Sequence, residues 1–156
     1  MTLSQYLGRG VVSRGRATIT GNLDTAVSEH PYFHNAGDKE AVILGIEGLV
    51  KTLATIKDLT FILPPANITI KDWVDGMIVS PSNRRSNHWM GTAKIGTDDG
   101  RKDGGTAVVD LDTKVYGTDN LFVVDASIFP GMTTGNPTAA IVIAAERAAE
   151  RILARK

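Results

Sequence analysis

His88 stands between an amide and an indole in S-N-H-W-M-G-T-A-K-I-G, residues 86–96, and the chain then meets glycines at 91 and 96. Imidazole exchanges a proton near neutral pH, so His88 is the first candidate for a general base. The competing reading is a structural histidine satisfied inside a turn. A second group lies far downstream, Asn136 in G-N-P-T at the head of the last predicted helix. A carboxamide there either caps the helix by accepting from its first amides or turns outward and donates to a ligand oxygen. Between them, Asp125 closes the apolar run Leu121-Phe122-Val123-Val124. In open α/β sheets ligands lie beyond the carboxyl ends of strands, where helix N-termini offer amide donors. Asp125, Ala126 and the 135–138 turn are therefore expected along one polar pocket edge that favours an electron-rich group.

Other groupings carry less chemistry. His30 and His34 are four apart, but Pro31 opposes the helix that would align them as metal ligands. Asp98, Asp99 and Asp103 sit in G-T-D-D-G-R-K-D-G-G without the spacing or the closing glutamate of a calcium loop, so they read as solvated charge. Asn67-Ile68-Thr69 is a glycosylation sequon, which matters only in a secreted protein. No G-x-G-x-x-G follows a strand and no Walker sequence occurs, so nothing here cradles a pyrophosphate unaided.

The elements that must position these groups are legible in outline. Gly15–Thr20 alternates and is β-branched, a strand; residues 25–35 are extended and lead to a loop. Asp38 is placed to cap a helix over 39–57, with Val42, Ile43, Ile46, Leu49, Val50, Leu53 and Ile56 on its inner face. Gly45 and Gly48 weaken that helix by about 1 kcal/mol each unless close packing needs them. Residues 71–85 give no clear element and end in a Ser-Asn-Arg-Arg loop. Residues 96–105 form a solvated loop, followed by strand-like pieces at 106–110 and 114–117 and by the 121–124 run, which reads as a strand buried on both faces. The last helix runs from Asn136, its N-cap, through Pro137 at the first helical position to about Ala154. Ile141, Ala144, Ala145, Ala148 and Ile152 form its inner face, and Glu146, Arg147, Glu150 and Arg151 its solvated face.

Composition bounds the rest. The 156 residues amount to about one domain. A hydrophobic fraction of 42% supports a core, and 17 basic against 17 acidic residues leave no net field for nucleic acid or an anionic membrane. Without cysteine there are no disulfides or thiolate metal sites. No stretch approaches a membrane span, and the start lacks the order of a signal peptide, reading instead like the middle of a domain.

Taken together, "NHWMGTAKIG" and "AVVDLDTKVYGTDNLFVVDASIFPGMTTGNPTAAIVIAAERAAERI" closely resemble the C-terminal end of the glucose–methanol–choline (GMC) flavin oxidoreductases, nearest to the flavin part of fungal cellobiose dehydrogenases. "SRGRATIT" and the stretch around "EHPYFHN" extend the likeness over nearly the whole chain. The resemblance implies an α/β (α+β) fold: residues 1–92 belong to a substrate-binding domain that includes the histidine loop, and 93–156 to the FAD-binding domain. His88 matches the catalytic histidine, Asn136 the second catalytic position, and Asn87 a substrate contact. Asp125 and Ala126 lie along the FAD phosphates and ribityl chain, and Asn136, Pro137 and Thr138 against the flavin's pyrimidine edge. The implied activity is oxidation of the anomeric carbon of cellobiose or a related β-sugar to the lactone, outside the cell. Glucose or alcohol oxidation, or a non-catalytic fragment, are the alternatives. FAD would be held mostly by a preceding flavoprotein portion that carries the dinucleotide fingerprint. Haem, if used, belongs to a separate domain, one choice of electron acceptor among others. Residues 1–156 alone are then expected neither to hold FAD well nor to turn over.

Overall fold

The computed structural model describes residues 2, 3, 5, 7, 8, 10–80 and 88–155, which form two compact units, Met1–Arg85 and Ser86–Lys156. Asn87 and the Ser-Asn-Arg-Arg loop lie outside the described residues.

The first unit opens on a hairpin. β1 (Arg16–Ile19) pairs antiparallel with β2 (Thr25–Glu29), with Ala17 opposite Val27 and Ile19 opposite Thr25. The first strand is the one expected. Its turn closes through Thr20 N–H to Asp24 O at 2.8 Å, with Leu23 at φ 64°. Helix α1 (Ala36–Leu53) then begins earlier than its periodicity suggests. Its cap is Asn35, whose Oδ1 accepts from Gly37 N at 2.8 Å, and not Asp38. Asp38 is buried in the first turn and reaches back to accept from Val12 N at 3.2 Å and Ser13 N at 2.7 Å. The Ser13 side chain first, then the Ser13 and Val12 amides, hold its carboxyl below the usual range against the opposing effect of burial. Of the inner-face residues expected on α1 only Ile43 is buried, while Leu49 and Ile56 are exposed. Gly45 lies against the side chain of Gln5, which occupies the space a methyl would take.

A short helix that periodicity did not reveal, α2 (Ile70–Asp75), packs against α1. Thr69 caps it, accepting from Asp72 N at 3.0 Å and donating to Asp72 Oδ2 at 2.7 Å. The T-x-x-D signal was present in the sequence, starting at the last residue of the triplet read as a sequon. Asp75 pairs with Lys39 of α1 and with Lys71, and Val74 is fully buried beneath it.

The second unit is an irregular meander packed on α3 (Thr138–Leu153), with Ala107, Val109, Ile128 and Ala148 at its core. The strand-like pieces at 106–117 appear only as isolated bridges, Ile95–Val109, Asp99–Ala107 and Val109–Val115. The 121–124 run is likewise no buried strand: Phe122 bridges Lys114, but Leu121 is 53% and Val124 36% exposed. Such a run is buried on both faces only when sheet neighbours flank both edges, and the described residues supply one bridge on one side. α3 starts after Pro137, which takes the cap position that Asn136 was expected to hold and has no side chain to accept a bond. Ala148 is buried and Ile141, Ala144, Ala145 and Ile152 are half-buried, as the sequence predicts. At the other end Arg151 donates to Leu111 O at 2.7 Å and Asp112 at 2.6 Å, and Arg155 lies over the Phe122 ring.

The 96–105 loop corrects one reading. Asp99 is not solvated charge: it is 8% exposed and forked by Arg101 Nε at 3.0 Å and Nη2 at 2.8 Å. The Arg101 bonds lower its carboxyl from 3.8 to about 2. The folded value lies below the unfolded one, so this pair's contribution is present above pH 3.8 and is lost as pH falls through about 2. The difference in urea midpoint between the wild type and Asp99→Asn should therefore shrink across that window, and a difference constant with pH would refute the assignment.

Candidate active site

His88 and Trp89 fall within the compact unit that also carries Asp125 and Asn136. The unit boundary at 85/86 thus precedes the division at 92/93 drawn from the sequence. His88 is half-buried, whereas Trp89 leaves 43% of its surface exposed. A large indole left open beside a histidine is unlike a core tryptophan and suits a wall for something bound.

Immediately after this pair the chain is held tightly. Gly91 has φ 88°, a conformation that L side chains rarely adopt, and a methyl on it would sit 3.1 Å from Phe129 O. Ala93 N donates to Ser127 O at 2.9 Å and Ile95 N to Ile128 O at 2.8 Å. Gly96 N donates to Val109 O at 3.1 Å, and Tyr116 Oη donates to Gly96 O at 2.9 Å. The histidine segment is therefore laid along the 3₁₀ turn Ala126–Ile128. Asp125 caps that turn, with Oδ1 accepting from Ser127 N at 2.8 Å and from the Ser127 hydroxyl. The sequence reading missed this local use of Asp125, although D-x-S is an Asx-type signal.

The remaining site residues are placed as follows. Asp125 is exposed and Ala126 half-buried; Asn136 and Thr138 are exposed and Pro137 is buried. Thr133 Oγ1 donates to Gly135 O at 2.9 Å, shaping the turn before Asn136. A cleft of about 360 Å³ lies elsewhere, in the first unit, between Leu7, Val12, Asn35 and Asp38, and is not lined by any of these residues. His30 and His34 do approach, with rings 4.8 Å apart, but His30 Nδ1 accepts from Tyr32 N and His34 faces Glu29 at 3.5 Å. Among the described residues no group of three or more acidic, histidine or cysteine side chains could hold a metal ion, and no helix is long and apolar enough to cross a membrane.

A family model described as GMC oxidoreductase matches residues 11–145. The chain belongs to the GMC oxidoreductase family. Among its relatives, dehydrogenase pkfF of Emericella nidulans is 30% identical over 150 residues, 90% of this chain and 23% of that protein. An oxygen-dependent choline dehydrogenase of Sinorhizobium fredii is 45% identical over 69 residues, 44% of this chain and 12% of that protein. The crystal structure of pyridoxine 4-oxidase from Mesorbium loti superposes with a TM-score of 0.69 at 25% identity, covering 92% of this chain and 28% of that one. The chain thus spans about a quarter or less of each of these relatives. Its mixed α/β architecture, a two-stranded sheet with helices, is that of the C-terminal part of a GMC oxidoreductase.

Proposed function

We propose that this chain is the C-terminal catalytic part of an FAD-dependent oxidoreductase that oxidises a CH–OH group, with His88 as the base. One observation carries the reading: the family match over 11–145 contains both His88 and Asn136. Hydride leaves an alcohol carbon more readily as the hydroxyl proton departs, and an imidazole is suited to take that proton. The Asn136 amide can donate to the oxygen as charge develops there, without becoming charged itself. Trp89 forms a wall, and Asn87 contributes a further substrate contact.

The donor set fits the cofactor. α3 has 16 residues and a proline at its cap, so no cap side chain neutralises the positive end of its dipole. An electron-rich edge is what such an end favours. Asn136, Pro137 and Thr138 would meet the pyrimidine edge of FAD, and Asp125 and Ala126 its phosphates and ribityl chain. FAD, when bound, supplies the hydride acceptor, and most of its contacts would come from a flavoprotein portion preceding this chain.

For the substrate, the cellobiose-type β-sugar rests on the resemblance in the NHW and GNP stretches. With it go an extracellular location and a haem domain or other electron acceptor outside these residues. The relatives named for choline and pyridoxine favour a second reading, a smaller hydroxyl-bearing molecule. Anaerobic mixing of the FAD-loaded full-length protein, with its flavoprotein portion, with cellobiose, glucose, choline and pyridoxine decides between them. The substrate should bleach the oxidised flavin band within one turnover. Bleaching by cellobiose alone supports the sugar, and bleaching by choline or pyridoxine alone the second reading. If none of these hydroxyl compounds bleaches a fully loaded flavin, the proposed activity is wrong.

A further inference from the structure

We propose that Ser127 is a positioning residue for His88, acting through the 3₁₀ turn that splints the segment behind the histidine. The inference rests on the reading of His88 as the base. Three contacts converge on one short stretch: Ala93 N to Ser127 O, Ile95 N to Ile128 O, and Gly91 against Phe129 O. They fix the path of the backbone that leaves Trp89 and Met90. The carbonyls of residues 127–129 point as they do because the turn is closed from its other end. Asp125 Oδ1 accepts both the amide and the hydroxyl of Ser127, while Ile128 N and Phe129 N return to Asp125 O and Ala126 O at 3.3 Å. Those last two bonds are long, so the side-chain clasp has more of the turn to hold. Ile128 is buried beneath and anchors the splint to the core. A base acts through its placement within tenths of an ångström, and the Ser127 hydroxyl controls that placement through the turn.

The test uses the FAD-loaded protein and four variants. Ser127→Ala removes the hydroxyl and keeps the amide; Ser127→Thr restores a hydroxyl. Gly91→Ala pushes the segment from Phe129 O while leaving the clasp intact, which guards against a Ser127 variant that fails to fold. His88→Gln reports the base itself. In Ser127→Ala and Gly91→Ala, hydrogen exchange of the peptide covering residues 91–96 should rise on the order of fivefold, with the α3 peptides unchanged. Flavin reduction at saturating substrate should slow by about ten- to a hundredfold while KM stays within about twofold. Ser127→Thr should restore both. Unchanged exchange in Ser127→Ala overturns the splint. Faster exchange with normal reduction, while His88→Gln is slow, overturns the positioning role and leaves the base reading intact. Normal reduction by His88→Gln overturns the base reading, and the positioning role with it.

Discussion

His88→Gln in the FAD-loaded protein is expected to lower kcat/KM by about 10²–10⁴-fold, the range a positioned general base contributes. Glutamine keeps much of the shape and a hydrogen-bonding amide but cannot take up the hydroxyl proton. A half-buried residue beside an exposed indole should tolerate the change without unfolding. Loss of activity with an unchanged urea midpoint and unchanged FAD content is therefore the expected pattern. Turnover within about tenfold of wild type would remove His88 from the chemistry.

Gly105→Ala is expected to be the most damaging single-methyl change in the second unit. A methyl at Gly105 would fall onto the carbonyl oxygen of Asp99, with Gly100 N only 3.0 Å away. Both obstacles are backbone, so no side chain can rotate to make room. The same carbonyl accepts from Lys102 N at 2.9 Å, and Gly105 N in turn donates to Lys102 O at 3.0 Å. Next along the chain Thr106 N and Ala107 N donate to Asp98 O at 3.1 and 3.0 Å, and Ala107 is 2% exposed. Relief of the clash must pull on that core. Overpacking of this kind costs about 1–3 kcal/mol. Gly131→Ala, where a methyl meets nothing within 4 Å, should stay within about 0.5 kcal/mol of wild type. Equal urea midpoints for the two variants would show that the loop yields.

These residues also show what the sequence could and could not tell. α3 was readable because its buried and exposed positions follow a local 3.6-residue repeat. β1 was readable from alternation and branching. Asp99 was misread because a charged residue among glycines resembles a solvated loop; Arg101 two residues on could have been weighed as its partner, but only the fold brings the Ala107 backbone against it. Leu121–Val124 was misread in the opposite sense, since apolarity records a need for burial but not which residues meet it. At the site, the roles proposed for His88 and Asn136 come from the resemblance carried by the N-H-W and G-N-P stretches. The splint beneath them depends on carbonyls, which have no letter in the sequence.

Helix α3 is held unequally at its two ends. Its final turn is riveted by Arg151 and Arg155 to Leu111, Asp112 and Phe122, whereas its opening turn starts from a buried proline that makes no side-chain cap bond. The carboxamide of Asn136 thus stands just outside a rod anchored by charge at its far end and wedged by a ring at its near end, so its average location is kept from both directions.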